Sequence, residues 1–273
     1  MTFYLLKDLS DRINSKIERG NVMKKHYAIL WIMFAAFIFI RCTMKIPYWL
    51  VLSVMAAVLS VILLKECKLP SKKYIVLSVI LSVISAVAYL GYQRNPWILI
   101  YGLRAGIPTL ITSLAVFSVM ERTGGYSFIY NKRKHPVLWF FVSSVGVGTV
   151  LAVINLMLPG EKGEAGFSLW KLLLALNPGI YEEMSLRAIY MAYCVKFLRK
   201  ESESRMSFFA IFTMYFMMFI PHAAVHGFGF YETVTVGFLF GLPFAIMQRK
   251  SGIASAMIAH WMVDTVRFIV NGI

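Results

Sequence analysis

Acidic residues, cysteines and long polar stretches are all scarce in this sequence. Its three cysteines, Cys42, Cys67 and Cys194, are odd in number and include no CxxC. That excludes a disulfide framework and a cysteine-rich metal site. Charged residues reach only 15%, against about 25% in an average soluble domain. No HExxH helix is present, so the best-known zinc-protease signature is missing. Internal repeats and low-complexity segments are absent too, and the paired broken helices of many transporters leave no trace. No cleavable signal peptide is expected, because the first apolar stretch comes after 25 mostly polar and charged residues.

What fills the chain is apolar. Hydrophobic residues make up 59% of the 273, and the mean hydropathy is +0.69. Both values describe a multi-pass integral membrane protein. Lys and Arg number 28 against 13 Asp and Glu, a formal charge of +15. A nucleic-acid binder would gather such charge on one solvated face. Here it falls between apolar runs, so nucleic acid is excluded as the main partner and membrane lipid is the surrounding phase.

A bilayer core needs roughly 17–25 mostly apolar helical residues per span. Candidate spans are 26–40, 47–64, 74–92, 97–119, 136–158, 177–198, 206–226, 231–248 and 253–270. The expected fold is all-α, a polytopic transmembrane bundle of about eight or nine spans, with 26–40 the shortest. Residues 1–25 read as an amphipathic interfacial helix, with Phe3, Leu5, Leu6, Leu9 and Ile13 at helical spacing, or as a loose cytoplasmic arm. Alternate loops carry 20 and 4 Lys+Arg, which places the N-terminus in the cytoplasm and the C-terminus outside. The stretch 167–198 is too long for one straight span at about 1.5 Å per residue. Asn177-Pro178-Gly179 is therefore expected to break it, with a re-entrant or interfacial piece over 167–176 and a fresh helix near Pro178.

Ionisable groups inside spans are costly and mark function by default. They gather in the last third: Glu182, Glu183 and Arg187, then His222 and His226, Glu232, and finally His260, Asp264 and Arg267. The first five spans contribute only Arg104, apart from His26 at the first residue of 26–40. Glu183 and Arg187 are i, i+4 and can pair, whereas Glu182 is turned about 100° away and faces a cavity. His222–His226 and His260–Asp264 are also i, i+4. Plain structural readings exist for single members. The Glu183–Arg187 pair can be a staple, His226 can face the interface beside Gly227, Glu232 can favour a helix start, and Arg267 can snorkel or pair with Asp264. Taken together, carboxylates and imidazoles on three spans could activate a water or bind a metal.

These residues resemble the CPBP family (CAAX proteases and bacteriocin-processing enzymes, also called Abi), which are multi-spanning intramembrane proteases. The family shows EExxxR, FxxxH and HxxxN or HxxxD on successive helices. Glu182-Glu183-Met184-Ser185-Leu186-Arg187 fits the first motif, and His260-Trp261-Met262-Val263-Asp264 fits the third in its Asp form. In the second, His222 has Met218 at the Phe position, and His226 is a rival with His222 at that position. The resemblance covers roughly residues 135–270. It divides the chain into the arm 1–25, an N-terminal transmembrane scaffold 26–134 and a CPBP-like catalytic domain 135–273.

The resemblance implies a glutamate-dependent endopeptidase acting on a membrane-associated or lipid-modified protein, in a bacterial cell membrane. It implies that Glu182 activates water with help from His222, and that Glu183 and Arg187 hold the site in shape. His260 and Asp264 would polarise the scissile carbonyl and stabilise the oxyanion. No cofactor is expected; zinc on two His and one Glu is the alternative. The competing functions are a catalytically silent scaffold or bacteriocin-immunity protein and, ranked lower, a proton-coupled transporter.

Overall fold

In lipid each backbone N–H and C=O must find its partner within the protein, which favours helices throughout. A computed structural model describes residues 2–44, 46–89, 98–129, 135–158, 163–199, 206–226 and 229–272, without the side chains of 2–19, 98, 225, 230 and 232. Among the described residues there are nine helices and no strand. They are α1 (Thr2–Thr43), α2 (Tyr48–Cys67), α3 (Lys72–Val87), α4 (Ile98–Thr123), α5 (Pro136–Met157), α6 (residues 169–197), α7 (Phe208–His226), α8 (residues 230–250) and α9 (Ile253–Val270).

Each helix answers to one candidate span, but they are not nine equal membrane crossings. Among the described residues five segments are long and apolar enough to cross: Gly20–Thr43, α2, Leu99–Thr123, α5 and α9. The apolar part of α7, Phe208–Ala224, is shorter, and α3 has only 16 residues. The first span is longer than 26–40 because α1 runs unbroken into it. The amphipathic pattern from Phe3 to Ile13 falls outside the described side chains.

Asn177-Pro178-Gly179 does not break the chain as expected, and no separate re-entrant piece forms over 167–176. The helix starts at Leu169, where Ser168 Oγ caps it by accepting the Trp170 N–H at 3.2 Å, and it continues through Pro178 to Glu182. Proline removes one backbone hydrogen bond, and the residues beside it hold the helix in place. Asn177 donates to the carbonyl of Ser85 at 2.9 Å and to its hydroxyl at 3.1 Å, tying α6 to α3. Gly179 lies against the backbone of α9, where a Cβ would stand 3.0 Å from the Met257 carbonyl and 3.2 Å from the Trp261 amide nitrogen. Small residues allow this close approach between membrane helices. The Trp261 indole completes the seam by donating to the Leu172 carbonyl at 2.9 Å.

Helix α6 is the hub of the bundle. Its Tyr193 hydroxyl meets His26 of α1 at 2.7 Å, Tyr181 meets Ser53 of α2 at 2.7 Å, and Ser185 meets Thr112 of α4 at 3.0 Å. The largest apolar core surrounds it, with Met184, Ile189, Tyr190 and Tyr193 packed on Leu59 and Leu63 of α2, Val116 and Phe117 of α4, and Met214 and Met217 of α7. A smaller core of Leu151, Phe240, Phe244 and Val263 joins α5, α8 and α9. Among the described residues three π-helical turns interrupt the helices: Val142–Gly146 in α5, Glu183–Ala188 in α6 and Gly237–Gly241 in α8. A π turn acts as one inserted residue, rotating the rest of its helix by about 100°. Such turns gather at functional sites, and the one in α6 coincides with Glu183 to Arg187.

Candidate active site

Glu183 and Glu182 are neighbours in sequence with unlike surroundings. Glu183 has 0% of its surface exposed. Removing a carboxylate from water costs several kcal/mol, and Glu183 offsets that with partners on three helices. Arg187 donates from its own helix. His260 Nδ1 of α9 lies 2.7 Å from Oε1, and Gln248 Nε2 of α8 donates to Oε2 at 2.7 Å and to the Glu183 carbonyl at 2.9 Å. Arg187 is equally buried, with its guanidinium 5.3 Å from the Phe244 ring centre. The pair is a closed structural unit with no free carboxylate face.

Glu182 is less enclosed, with 18% of its side chain exposed. Its Oε2 lies 2.7 Å from His222 Nε2 on α7 and 3.7 Å from His260 Nε2 on α9. Neither approach is in line for a hydrogen bond, so this oxygen is close to two imidazoles without being saturated by them. The structure thus brings Glu182, His222 and His260 together, as the spacing on three spans predicts.

The imidazoles are held from behind. His260 stacks on Phe244 with ring centres 4.7 Å apart and planes 16° apart. Its Nδ1 is taken by Glu183, so its Nε2 is the nitrogen left toward Glu182 and toward Asp264 Oδ2 at 3.4 Å. His222 is buried at 2% exposure, and His226 lies beyond it with the two Nε2 atoms 3.1 Å apart. His226 is exposed at the end of α7, as the interface reading expects, and its ring also reaches back to the cluster. Beside these groups is a cavity of about 270 Å³ lined by Arg187, His222, His226, His260, Asp264 and Arg267, with Asn155 of α5 across it. Arg267 shares the cavity with Asp264 without an ion pair among the described contacts. The side chain of Glu232 is outside the described residues.

Gln248, Phe244 and Asn155 do not stand out in the sequence when only ionisable groups are weighed. A neutral amide in an apolar run is the available signal for Gln248 and Asn155. Phe244, four residues before Gln248 on one helix face, carries none.

Glu182, His222 and His226 could hold a metal ion, since one donor atom from each lies within 4.8 Å of the others. Two histidines and a glutamate suit zinc. The outer support is incomplete, however. A metal-bound histidine normally donates its other ring N–H, and the buried Nδ1 of His222 has no hydrogen-bond partner among the described residues.

Residues 164–266 match the family described as type II CAAX prenyl endopeptidase Rce1-like. The matched stretch holds all seven candidate site residues and carries the resemblance seen in the motifs. No curated protein and no solved structure matches the chain. With its long apolar helices the chain is an integral membrane protein, and its residues 164–266 are similar to that family of endopeptidases.

Proposed function

We propose that this protein is an intramembrane endopeptidase in which Glu182 activates the hydrolytic water and cuts a lipid-modified protein substrate. The observation that carries the reading is the position of the Glu182 carboxylate, 2.7 Å from His222 and 3.7 Å from His260, two histidines that line a cavity. A carboxylate in this setting can take a proton from a water aimed at the scissile carbonyl. His222 shares that proton and passes it to the leaving amine. His260, its Nδ1 fixed by Glu183, presents Nε2 to the carbonyl oxygen, and Asp264 steadies it in the protonated form. Donors pre-set in a water-poor site stabilise the developing oxyanion strongly.

Two features favour a lipid-modified substrate. The family's name specifies a CAAX prenyl endopeptidase. A second cavity, about 230 Å³ and lined by apolar residues including Leu81, Leu176, Ile180, Met257 and Ile258, opens beside α6 two to three residues before Glu182. It offers room for part of an isoprenoid or acyl chain. The Lys and Arg distribution favours a cytoplasmic N-terminus.

The test is cleavage of a farnesylated C-terminal peptide by the purified full chain in detergent. Wild type is expected to cleave it, and Glu182→Ala to lose the activity with folding intact, because the Glu183–Arg187 unit remains. Cleavage at wild-type rate by Glu182→Ala would refute the mechanism. If a broad set of lipidated peptides stays intact with wild type, the silent-scaffold reading replaces it.

A further inference from the structure

His226 is the member of the cluster to which the proposed mechanism gives no task. It ends α7 one turn after His222, exposed where His222 is buried. The two Nε2 atoms are 3.1 Å apart while the ring centres are 5.1 Å apart, so the imidazoles turn these nitrogens toward each other. On its other side His222 Nε2 stands 2.7 Å from Glu182 Oε2. One donor atom from each of the three residues lies within 4.8 Å of the other two. Two imidazoles and one carboxylate thus converge on a common point.

The spacing suits a small four-coordinate ion. Nitrogen and oxygen donors sit about 2.0–2.2 Å from zinc, which sets neighbouring tetrahedral ligands about 3.3–3.5 Å apart. The observed 2.7 and 3.1 Å ask the donors to part by about half an ångström, and one of them stands at a helix end. Two imidazoles with a single carboxylate favour zinc over magnesium or calcium, which are held by oxygens. The exposure of His226 gives the ion a way in from outside the bundle.

What the ion does follows from the residue it takes. A Glu182 lone pair given to a metal is withdrawn from proton transfer. In HExxH peptidases the general-base glutamate stands apart from the zinc ligands. Among the described residues of this cluster no spare carboxylate is available. Glu183 is held by Arg187, His260 and Gln248, and Asp264 lies 3.4 Å from His260 Nε2. Nor is the site built to retain an ion. The buried His222 Nδ1 has no hydrogen-bond partner among the described residues, and outer partners of that kind are worth about 10–100-fold in affinity.

We propose that Glu182, His222 and His226 form a reversible inhibitory site for zinc, in which the ion occupies the catalytic carboxylate and stops hydrolysis. The inhibition rests on the endopeptidase reading above; the binding does not. The ion displaces any protons its donors carry, and these leave to solvent.

Binding is measured first, on the tag-free full chain in detergent, by calorimetric titration with zinc chloride and by the shift in melting temperature. Wild type should bind one zinc per chain and melt higher with it, and magnesium should do neither. His226→Gln and Glu182→Gln should each bind at least about tenfold more weakly, and their own melting transitions report folding. His226→Cys, which exchanges one zinc ligand for another, should recover part of the binding. Cleavage of the farnesylated peptide is then followed against zinc, each protein normalised to its own metal-free rate. Zinc should stop wild type, excess chelator should restore it, and His226→Gln should need at least about tenfold more zinc. Absence of binding, or binding that the folded His226→Gln and Glu182→Gln proteins retain in full, overturns the site. Zinc that binds and speeds cleavage, or leaves it unchanged, overturns the inhibition. If wild type binds zinc through His226 but cuts no peptide, the metal site stands, and the endopeptidase reading falls together with the inhibition that rests on it.

Discussion

In α2 to α5 most buried polar side chains are hydroxyls that return their proton to a carbonyl one turn back. Ser60 donates to Ala56 at 2.7 Å, Ser78 to Tyr74 at 2.8 Å, Thr109 to Ala105 at 2.8 Å and Ser144 to Phe140 at 2.7 Å. In α6 to α9 buried hydroxyls such as Ser255 do the same, but they are joined by carboxylates, imidazoles and the amides of Asn177 and Gln248, which reach across helices. Glu183 meets His260 and Gln248, and Glu182 meets His222. A hydroxyl can be satisfied inside its own turn and is indifferent to its neighbours. A buried carboxylate or imidazole has to be met by other helices, so it fixes where those helices stand. The difference explains how one half of the bundle can be a tolerant scaffold while the other is a precise site.

Substitutions sharpen the contrast, and the largest effect is expected at Glu183. Glu183→Ala leaves Arg187 buried without its carboxylate, a loss of about 3–5 kcal/mol. It should appear as a sharply lower melting temperature and folded yield in detergent. Gly179→Ala comes next. It presses a methyl group on the α9 backbone 3.0 Å away and should destabilise by about 1–3 kcal/mol. Gel filtration and thermal unfolding would register it, and a neutral result would mean that α9 can shift freely. Gln248→Leu removes a neutral donor from Glu183 and should cost about 1–3 kcal/mol, with catalysis falling because His260 loses its fixed support. At the low end, Ser60→Ala deletes a bond within a single turn and should change stability by under about 1 kcal/mol. A large loss at Ser60 would erase the distinction between the two halves.

The same contrast governs how much of the molecule is legible in its sequence. Nine apolar runs mark the nine helices because hydrophobic length is a local property. The meeting of Glu182, His222 and His260 is legible through the cost of burying each one, which composition alone reveals. The unbroken passage of α6 through Pro178 is hidden, because it depends on Asn177 reaching Ser85 and on Gly179 nesting against α9. The π turn over Glu183–Ala188 is hidden as well, since a change of backbone register carries no residue signature. It spoils phase arguments made with a uniform 3.6-residue helix. Neutral Gln248 and Phe244 escape because a search for charge passes over them. His226 is half legible: its position at a helix end suggests solvent and it is exposed there, but only the fold sets it 3.1 Å from His222.

The central claim is that adjacent glutamates divide their work, Glu183 building the site and Glu182 using it. It is tested most directly by measuring folded yield and peptide cleavage for Glu182→Gln and Glu183→Gln side by side in the full chain. The account predicts wild-type yield with cleavage down by about a hundredfold or more for Glu182→Gln, and a clearly reduced yield for Glu183→Gln. Equal yields accompanied by equal losses of cleavage would contradict it.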